Sequence, residues 1–275
     1  MEKGTLIGLC VAVAGVFGSA VLHGINVVFL FTEIGSILIV FSGCIGATMI
    51  SFPMEATANA SKYVQKVMKG NAEEASAMET IGTIVKLTNR ARSEGLLALE
   101  DEAKSIEDPF FRKGIEFAVD GTDPEALKKT LTSEIVAMRD RHKVGQGWFT
   151  QAGVFAPTFG IIGAVFGLMA TMAHLNAPAE VGHGIAGAFV ATFWGVFLAN
   201  ALFLPMANKL KQLSAEEVAH KMLIVEGIMA IQAGVSPRVV EELLKSHVPP
   251  SEREEVVVPP ASSSSEAPAA EAEAA

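Results

Sequence analysis

Apolar and charged positions occur along this chain in long separate blocks. Four stretches hold no Asp, Glu, Lys or Arg: Gly4–Thr32, Ile34–Met54, Val144–Ala179 and Val181–Asn208. Each is long enough to cross a bilayer, which takes about 20 mainly apolar residues. Ionisable side chains are expensive at mid-membrane, so these blocks are where lipid belongs. They predict transmembrane helices at about 5–22, 34–52, 148–173 and 183–205. The charge-rich block between the second and third predicts a soluble insert. The expected fold class is all-α: a polytopic membrane protein with four transmembrane helices and a helical cytoplasmic domain.

Local signals divide the chain further. Pro53 cannot donate a helical hydrogen bond and keeps Phe52 out of helical geometry, so the second span ends there. In the insert, Met78, Ile81, Ile84, Val85 and Thr88 recur at helical spacing. Asp108-Pro109 and Thr122-Asp123-Pro124 are helix starts, with a capping oxygen ahead of a proline in the first turn. Ala126–Lys143 is a charged helix leading into the third span. After the fourth span come a helix over about 206–233 and, beyond Ser236-Pro237, a short one to Ser246. From Pro249 onward Pro, Ser, Ala and Glu dominate, a composition that cannot bury a core and predicts disorder. The expected organisation is 1–53 for the first two spans, 54–146 for the helical domain, 147–205 for spans three and four, 206–247 for C-terminal helices and 248–275 for the tail.

Charge orients this layout. Of 21 Lys and Arg residues, 14 fall between Lys62 and Lys143, six between Lys209 and Arg253, and the last is Lys3. The connections at His23–Thr32 and His174–Gly182 hold none. The positive-inside tendency therefore puts both termini and the insert in the cytoplasm and the two short loops outside. Half the residues are hydrophobic and only 7% aromatic, so the spans are aliphatic and rich in small residues. The net charge of −9 argues against nucleic acid as a partner. Cys10 and Cys44 both lie inside predicted spans, which leaves no disulfide framework and no metal-ligand spacing. With a second span following at once, the first block reads as a membrane anchor rather than a cleavable leader.

The candidates for chemistry are few. No nucleotide loop, nucleophile elbow or zinc spacing is present, so an enzyme is not expected, and neither is a cofactor. The spans hold no interior carboxylate or base; their polar groups are chiefly Thr158, Thr171 and Thr192. The Thr192 hydroxyl has two readings, a bond to its own helix backbone or to a partner's carboxylate or a passing water. Small residues mark one side of span three (Ala156, Gly160, Gly163, Ala164, Gly167, Ala170) and of span four (Ala188, Ala191, Thr192, Gly195, Ala199). Such faces let helices approach closely, within this chain, against a partner, or around a shared central space. Pro157 and Pro205 each deprive a carbonyl of its donor and kink the helix, either as hinges or as packing features. Glu33 draws cations toward an entrance or, following Thr32, supports a helix N-terminus.

Spans three and four carry a resemblance. Ala188-Phe189-Val190-Ala191-Thr192-Phe193-Trp194-Gly195, followed by Pro205, resembles the signature of the MotA/PomA flagellar stator proteins. Ala156-Pro157-Thr158-Phe159-Gly160-Ile161-Ile162-Gly163 resembles the opening of that family's third span. Arg92-Ser93-Glu94-Gly95-Leu96-Leu97-Ala98-Leu99-Glu100 is similar to its rotor-facing segment, and Glu226–Gly234 with Pro237-Arg238 to its C-terminal region. The resemblance spans residues 1–247 and leaves the tail outside.

It implies a membrane stator subunit in which five copies surround two helices of a MotB-type partner. That partner would supply a single span with the ion-carrying aspartate and a peptidoglycan-binding domain. The missing intramembrane charge would then belong to another chain. The resemblance places Thr192 and Ala164 on the ion pathway, gives Pro157 and Pro205 the coupling role, and sets Arg92 and Glu100 at contacts with the rotor protein FliG. Arg90 and Glu94 are charged neighbours that a solvated helix face would also explain. Sodium-driven relatives resemble Gly-Thr where this chain has Gly163-Ala164; the lost hydroxyl removes one hard oxygen ligand, so H+ is the expected ion rather than Na+. The alternative is a relative of the ExbB/TolQ subunits, which energise outer-membrane processes, but those resemble a three-span layout.

Overall fold

A computed structural model describes residues 3–71, 76–250 and 253. Among them every regular element is helical: α1 (Lys3–Leu22), α2 (Val27–Thr32), α3 (Ile34–Ser51), α4 (Met54–Ala58), α5 (Ala60–Lys69), α6 (Ala77–Glu94), α7 (Leu99–Ala103), α8 (Pro109–Val119), α9 (Pro124–Met172), α10 (Pro178–Phe197), α11 (Leu204–Gln232) and α12 (Pro237–Lys245). A 3₁₀ turn at Leu96–Ala98 precedes α7, and a π-helical segment at Leu198–Phe203 joins α10 to α11. Four helical runs are long and apolar enough to cross a membrane, and they carry the four charge-free blocks: 4–22, 34–51, within 124–172 and within 178–232.

The chain forms two compact units, residues 1–75 with 125–225, and 76–124 with 226–275. These do not follow the linear division expected from charge. Polar helix and apolar span are continuous in the 49-residue α9, so its charged N-terminal part belongs with the membrane helices. Likewise the helix that carries the fourth span does not stop at Pro205. The π segment carries the helix through, and 206–225 stays with the first unit. A tail beginning at 248 is also too early: Val248 is buried and its carbonyl accepts a hydrogen bond from Arg253 Nε at 2.7 Å. The rest of the Pro/Ser/Ala/Glu stretch, 251–252 and 254–275, lies outside the described residues.

In the first unit, polar anchors tie the apolar helices together. Trp194 Nε1 donates to the Leu30 carbonyl at 2.7 Å, Ser36 Oγ to the Gly187 carbonyl at 2.9 Å, and Cys44 Sγ to the Ala152 carbonyl at 3.2 Å. Trp148 Nε1 donates to Thr57 Oγ1 at 3.1 Å. Where water is absent a buried donor must find a protein acceptor, so each bond fixes one helix pairing. Val40, Ala152, Ala156 and Ala191 fill the space between. The connection between α1 and α3 holds an unforeseen element, the short α2, whose N-terminus Asn26 Oδ1 caps by accepting from Val28 N at 3.1 Å.

The second unit is an ordinary aliphatic core. Ile81, Ile84 and Leu87 of α6, Leu99 of α7, Ile115 of α8, Ile228 and Ile231 of α11 and Leu244 of α12 are fully buried. Helix α8 starts as its Asp-Pro pair predicts, with Asp108 Oδ1 accepting from Phe110 N at 2.7 Å and Phe111 N at 3.3 Å.

Candidate functional site

The site is built on the seam between α9 and α10. Two small-residue faces meet there backbone to backbone. A Cβ added to Gly160 would come within 2.9 Å of the Ala191 carbonyl and 3.3 Å of Thr192 Cα; one added to Gly195 would come within 2.7 Å of the Ala156 carbonyl. Gly163 and Gly167 continue the seam against Ala191 and Ala188. Of the readings left open for these faces, the chain uses them on each other. What they leave exposed is the adjoining stripe of α10: Phe189 and Val196 are exposed, Thr192 between them is half-buried, and Asn200 is exposed one turn on. The 3-4-4 spacing puts these four on one helix face. With Val16 of α1 the stripe lines an open groove of about 520 Å³ whose only polar side chains are Thr192 and Asn200.

Thr192 Oγ1 donates to its own helix, at the Ala188 carbonyl, but at a long 3.3 Å; the oxygen keeps its lone pairs for a neighbour. Thr158 and Thr171 donate to their own helices too, at 2.7 Å and 2.8 Å. Ala164 is half-buried on α9, one turn beyond the Gly160 that touches Thr192. The structure thus brings Thr192 and the segment of Ala164 to one seam.

Pro157 is half-buried in the same seam, its Cα 3.2 Å from a Cβ placed on Gly195. It has no N–H to offer the Gly153 carbonyl four residues back. Gly153 in turn packs on Leu204, the residue before Pro205. The two prolines therefore flank one contact, between Gly153 and Leu204. Pro205 itself is exposed, beside Gly4 and Gly8 of α1 and Val67 of α5. It cannot donate to the Ala201 carbonyl, and the π segment falls on the residues just before it.

At the loop end of the seam, Glu33 occupies the N-cap position of α3 and makes no side-chain cap bond there. The carboxylate turns to His183 Nε2 at 3.2 Å and lies against Gly187.

The charged candidates of the second unit separate into two kinds. Arg90 bonds Glu94 at 3.2 Å and Glu102, and Lys86 bonds Glu102 at 3.2 Å. Glu102 first and Glu94 next hold the Arg90 guanidinium above its ordinary range. Lys86 first, then Arg90, holds the Glu102 carboxyl below the usual carboxylate range, against its partial burial. Arg90 and Glu94 thus serve the domain's own framework. Arg92 is exposed and free of ion pairs among the described residues, and Glu100 is exposed with Lys104 Nζ at 3.8 Å. Leu97, between them in sequence, is 75% exposed.

Asn200 was missed by a reading that looked for charges and hydroxyls. Its signal was present: an amide inside the charge-free block Val181–Asn208.

These features define a membrane subunit with an exposed, carboxylate-free stripe on one face of α10. The chain matches the MotA/TolQ/ExbB proton channel family over residues 102–222 and the Motility protein A N-terminal family over residues 6–95, and it belongs to this family of motility proteins. It is 37% identical over 253 residues to Motility protein A of Bacillus subtilis (strain 168), covering 92% of this chain and 93% of that protein. To Chemotaxis protein PomA of Vibrio alginolyticus it is 35% identical, covering 90% and 96%. The flagellar MotAB stator complex from Bacillus subtilis matches at TM-score 0.86 and 36% identity, over 90% of this chain and 97% of that one. C. jejuni MotAB matches at TM-score 0.86 and 29% identity, over 94% and 99%.

Proposed function

We propose that this chain is the torque-generating membrane subunit of a proton-driven flagellar stator. Flagellar stator function follows from its near full-length relationship to Motility protein A and from solved MotAB complexes. The further steps are our reading. A MotB-type partner lays its single span along the exposed α10 stripe and contributes the carboxylate that this stripe lacks. Five copies surround two such partner helices, and H+ passes beside Thr192 and Ala164. Ala164 in place of a hydroxyl residue supports H+ over Na+, since sodium needs a shell of hard oxygens. The Pro157–Gly153–Leu204–Pro205 contact line carries rearrangement from the ion site to the polar ends of α9 and α11. The charge pattern supports an inner-membrane orientation with both termini and the helical domain in the cytoplasm. There Arg92 and Glu100, exposed on either side of Leu97, push on FliG. No cofactor enters this scheme.

The carrying observation is the exposed α10 stripe, a mainly apolar groove holding two polar side chains, Thr192 and Asn200, and no carboxylate. Deleting the gene tests the function: cells should keep their flagella and stop swimming. Normal motility with defective iron-complex uptake would instead support an ExbB/TolQ-like role, a reading that near full-length relatives named for motility do not favour. Swimming speed should be insensitive to sodium at fixed pH; a steep sodium requirement would overturn the H+ assignment.

A further inference from the structure

We propose that Asn200 is a second hydrogen-bonding station of the ion path, on the cytoplasmic side of Thr192. The proposal rests on the reading of Thr192 as a pathway residue. Asn200 lies eight residues beyond Thr192 on the same exposed face, about 12 Å along the helix in the proposed orientation. It shares a groove with Thr192 whose other lining side chains are apolar. An amide facing lipid would leave polar atoms without partners, which costs several kcal/mol, so such a group belongs against water or another helix.

Its own bonding leaves capacity for a ligand. Asn200 Nδ2 donates to the Val196 carbonyl at 2.9 Å, which leaves Oδ1 and one N–H directed to the surface. The surrounding backbone is unusual in a way that supports the same role. Asn200 sits inside the π segment Leu198–Phe203, and Pro205 withholds a donor from the neighbouring Ala201 carbonyl. Widened turns of this kind concentrate at functional sites in helices. The amide therefore stands on a widened turn at one end of the groove it shares with Thr192. The amide there accepts a hydrogen bond from one water of the path and donates to the next, holding the water file in register after the ion passes Thr192.

The test uses the complex with its MotB-type partner, reconstituted in proteoliposomes with a pH-sensitive dye inside. Asn200→Leu should cut H+ flux by about fivefold or more, the worth of one hydrogen bond of ~1 kcal/mol, at unchanged assembly. Asn200→Ser, which restores a donor and acceptor, should recover most of it. Flux lost in Thr192→Val but normal in Asn200→Leu would overturn the role of Asn200 and leave Thr192 on the path. Normal flux in both would overturn the pathway reading itself. Should Asn200→Leu fail to assemble, Asn200→Cys in a Cys10→Ser, Cys44→Ala background decides. A charged, water-soluble thiol reagent should block its flux, and flux unaffected by the reagent would overturn the proposal.

Discussion

The two compact units of this chain are both all-helical, yet they are held together by opposite means. The second unit buries large branched side chains, with Ile84, Ile228 and Leu244 inaccessible, and decorates its surface with ion pairs such as Lys86–Glu102–Arg90. The membrane unit brings α9 and α10 together over Gly160, Gly195, Ala156 and Ala191, with almost no side chain between the backbones. Lipid is as apolar as leucine, so hydrophobic transfer does not drive helices together there; close contact and a few buried hydrogen bonds must. Small residues fill the α10 face turned to α9, while Phe189 and Val196 stand exposed on the adjoining stripe.

That contrast predicts opposite responses to side-chain volume. Shrinking should break the second unit: Ile228→Ala should cost about 2–5 kcal/mol of its stability, read by thermal unfolding and protease resistance of the helical region. Enlarging should break the seam. Gly195→Val forces a side chain onto the Ala156 carbonyl and should cost roughly 1–3 kcal/mol, seen as a lower melting temperature of the complex and lost motility. Gly82 of α6 is the control, since an added Cβ there meets nothing within 4 Å. Gly82→Ala should stabilise by about 0.5–1 kcal/mol through helix propensity alone. A Gly195→Val complex as stable as the unsubstituted one would erase the contrast.

A smaller effect concerns pH where the membrane helices become polar. His142 Nδ1 pairs with the buried Ser214 Oγ at 3.0 Å, between α9 and α11, near the Lys66–Glu217 pair. Burial above all, with the charges of Lys66, Arg141 and Lys221, pulls the His142 pKa below its ordinary 6.5, and Glu217 opposes this. The folded chain therefore binds this proton less tightly than the unfolded one. The stabilisation is complete above pH 6.5 and is lost as pH falls through the folded value. Melting temperature measured from pH 7.5 downward should fall below ~6.5, and His142→Gln should flatten that slope. The smallest effects on stability belong to the charged surface. Arg92→Glu and Glu100→Lys should leave melting unchanged while lowering torque. Arg90→Ala should loosen the domain, because it removes a partner of both Glu94 and Glu102.

Much of this architecture was legible in the chain, for reasons the contrast explains. Charge-free blocks mark the spans because ionisable groups cannot rest in lipid, and Pro53 and Asp108-Pro109 mark helix ends through backbone chemistry alone. The small-residue faces were equally visible, but not what they touch: periodicity shows a face, and only the fold shows that α9 and α10 use theirs on each other. At Pro205 the sequence shows a missing donor and a kink, but not how the helix accommodates it. The π segment absorbs it and lets the helix run on. The division of Arg90 and Glu94 from Arg92 and Glu100 was also beyond sequence alone, since Glu102 reaches Arg90 only after α7 folds back beside α6. Asn200 escaped because an amide carries neither charge nor hydroxyl, although its place in an apolar block was the clue.

In the proposed mechanism the ion passes the exposed α10 stripe by way of the Thr192 hydroxyl. Thr192→Val keeps the shape of the side chain and removes only the oxygen, so its flux in the reconstituted complex is the most direct test. The account predicts flux lower by about tenfold, the worth of a lost hydrogen bond of ~1.4 kcal/mol, with assembly and melting temperature unchanged. Full flux through a correctly assembled Thr192→Val complex would contradict it.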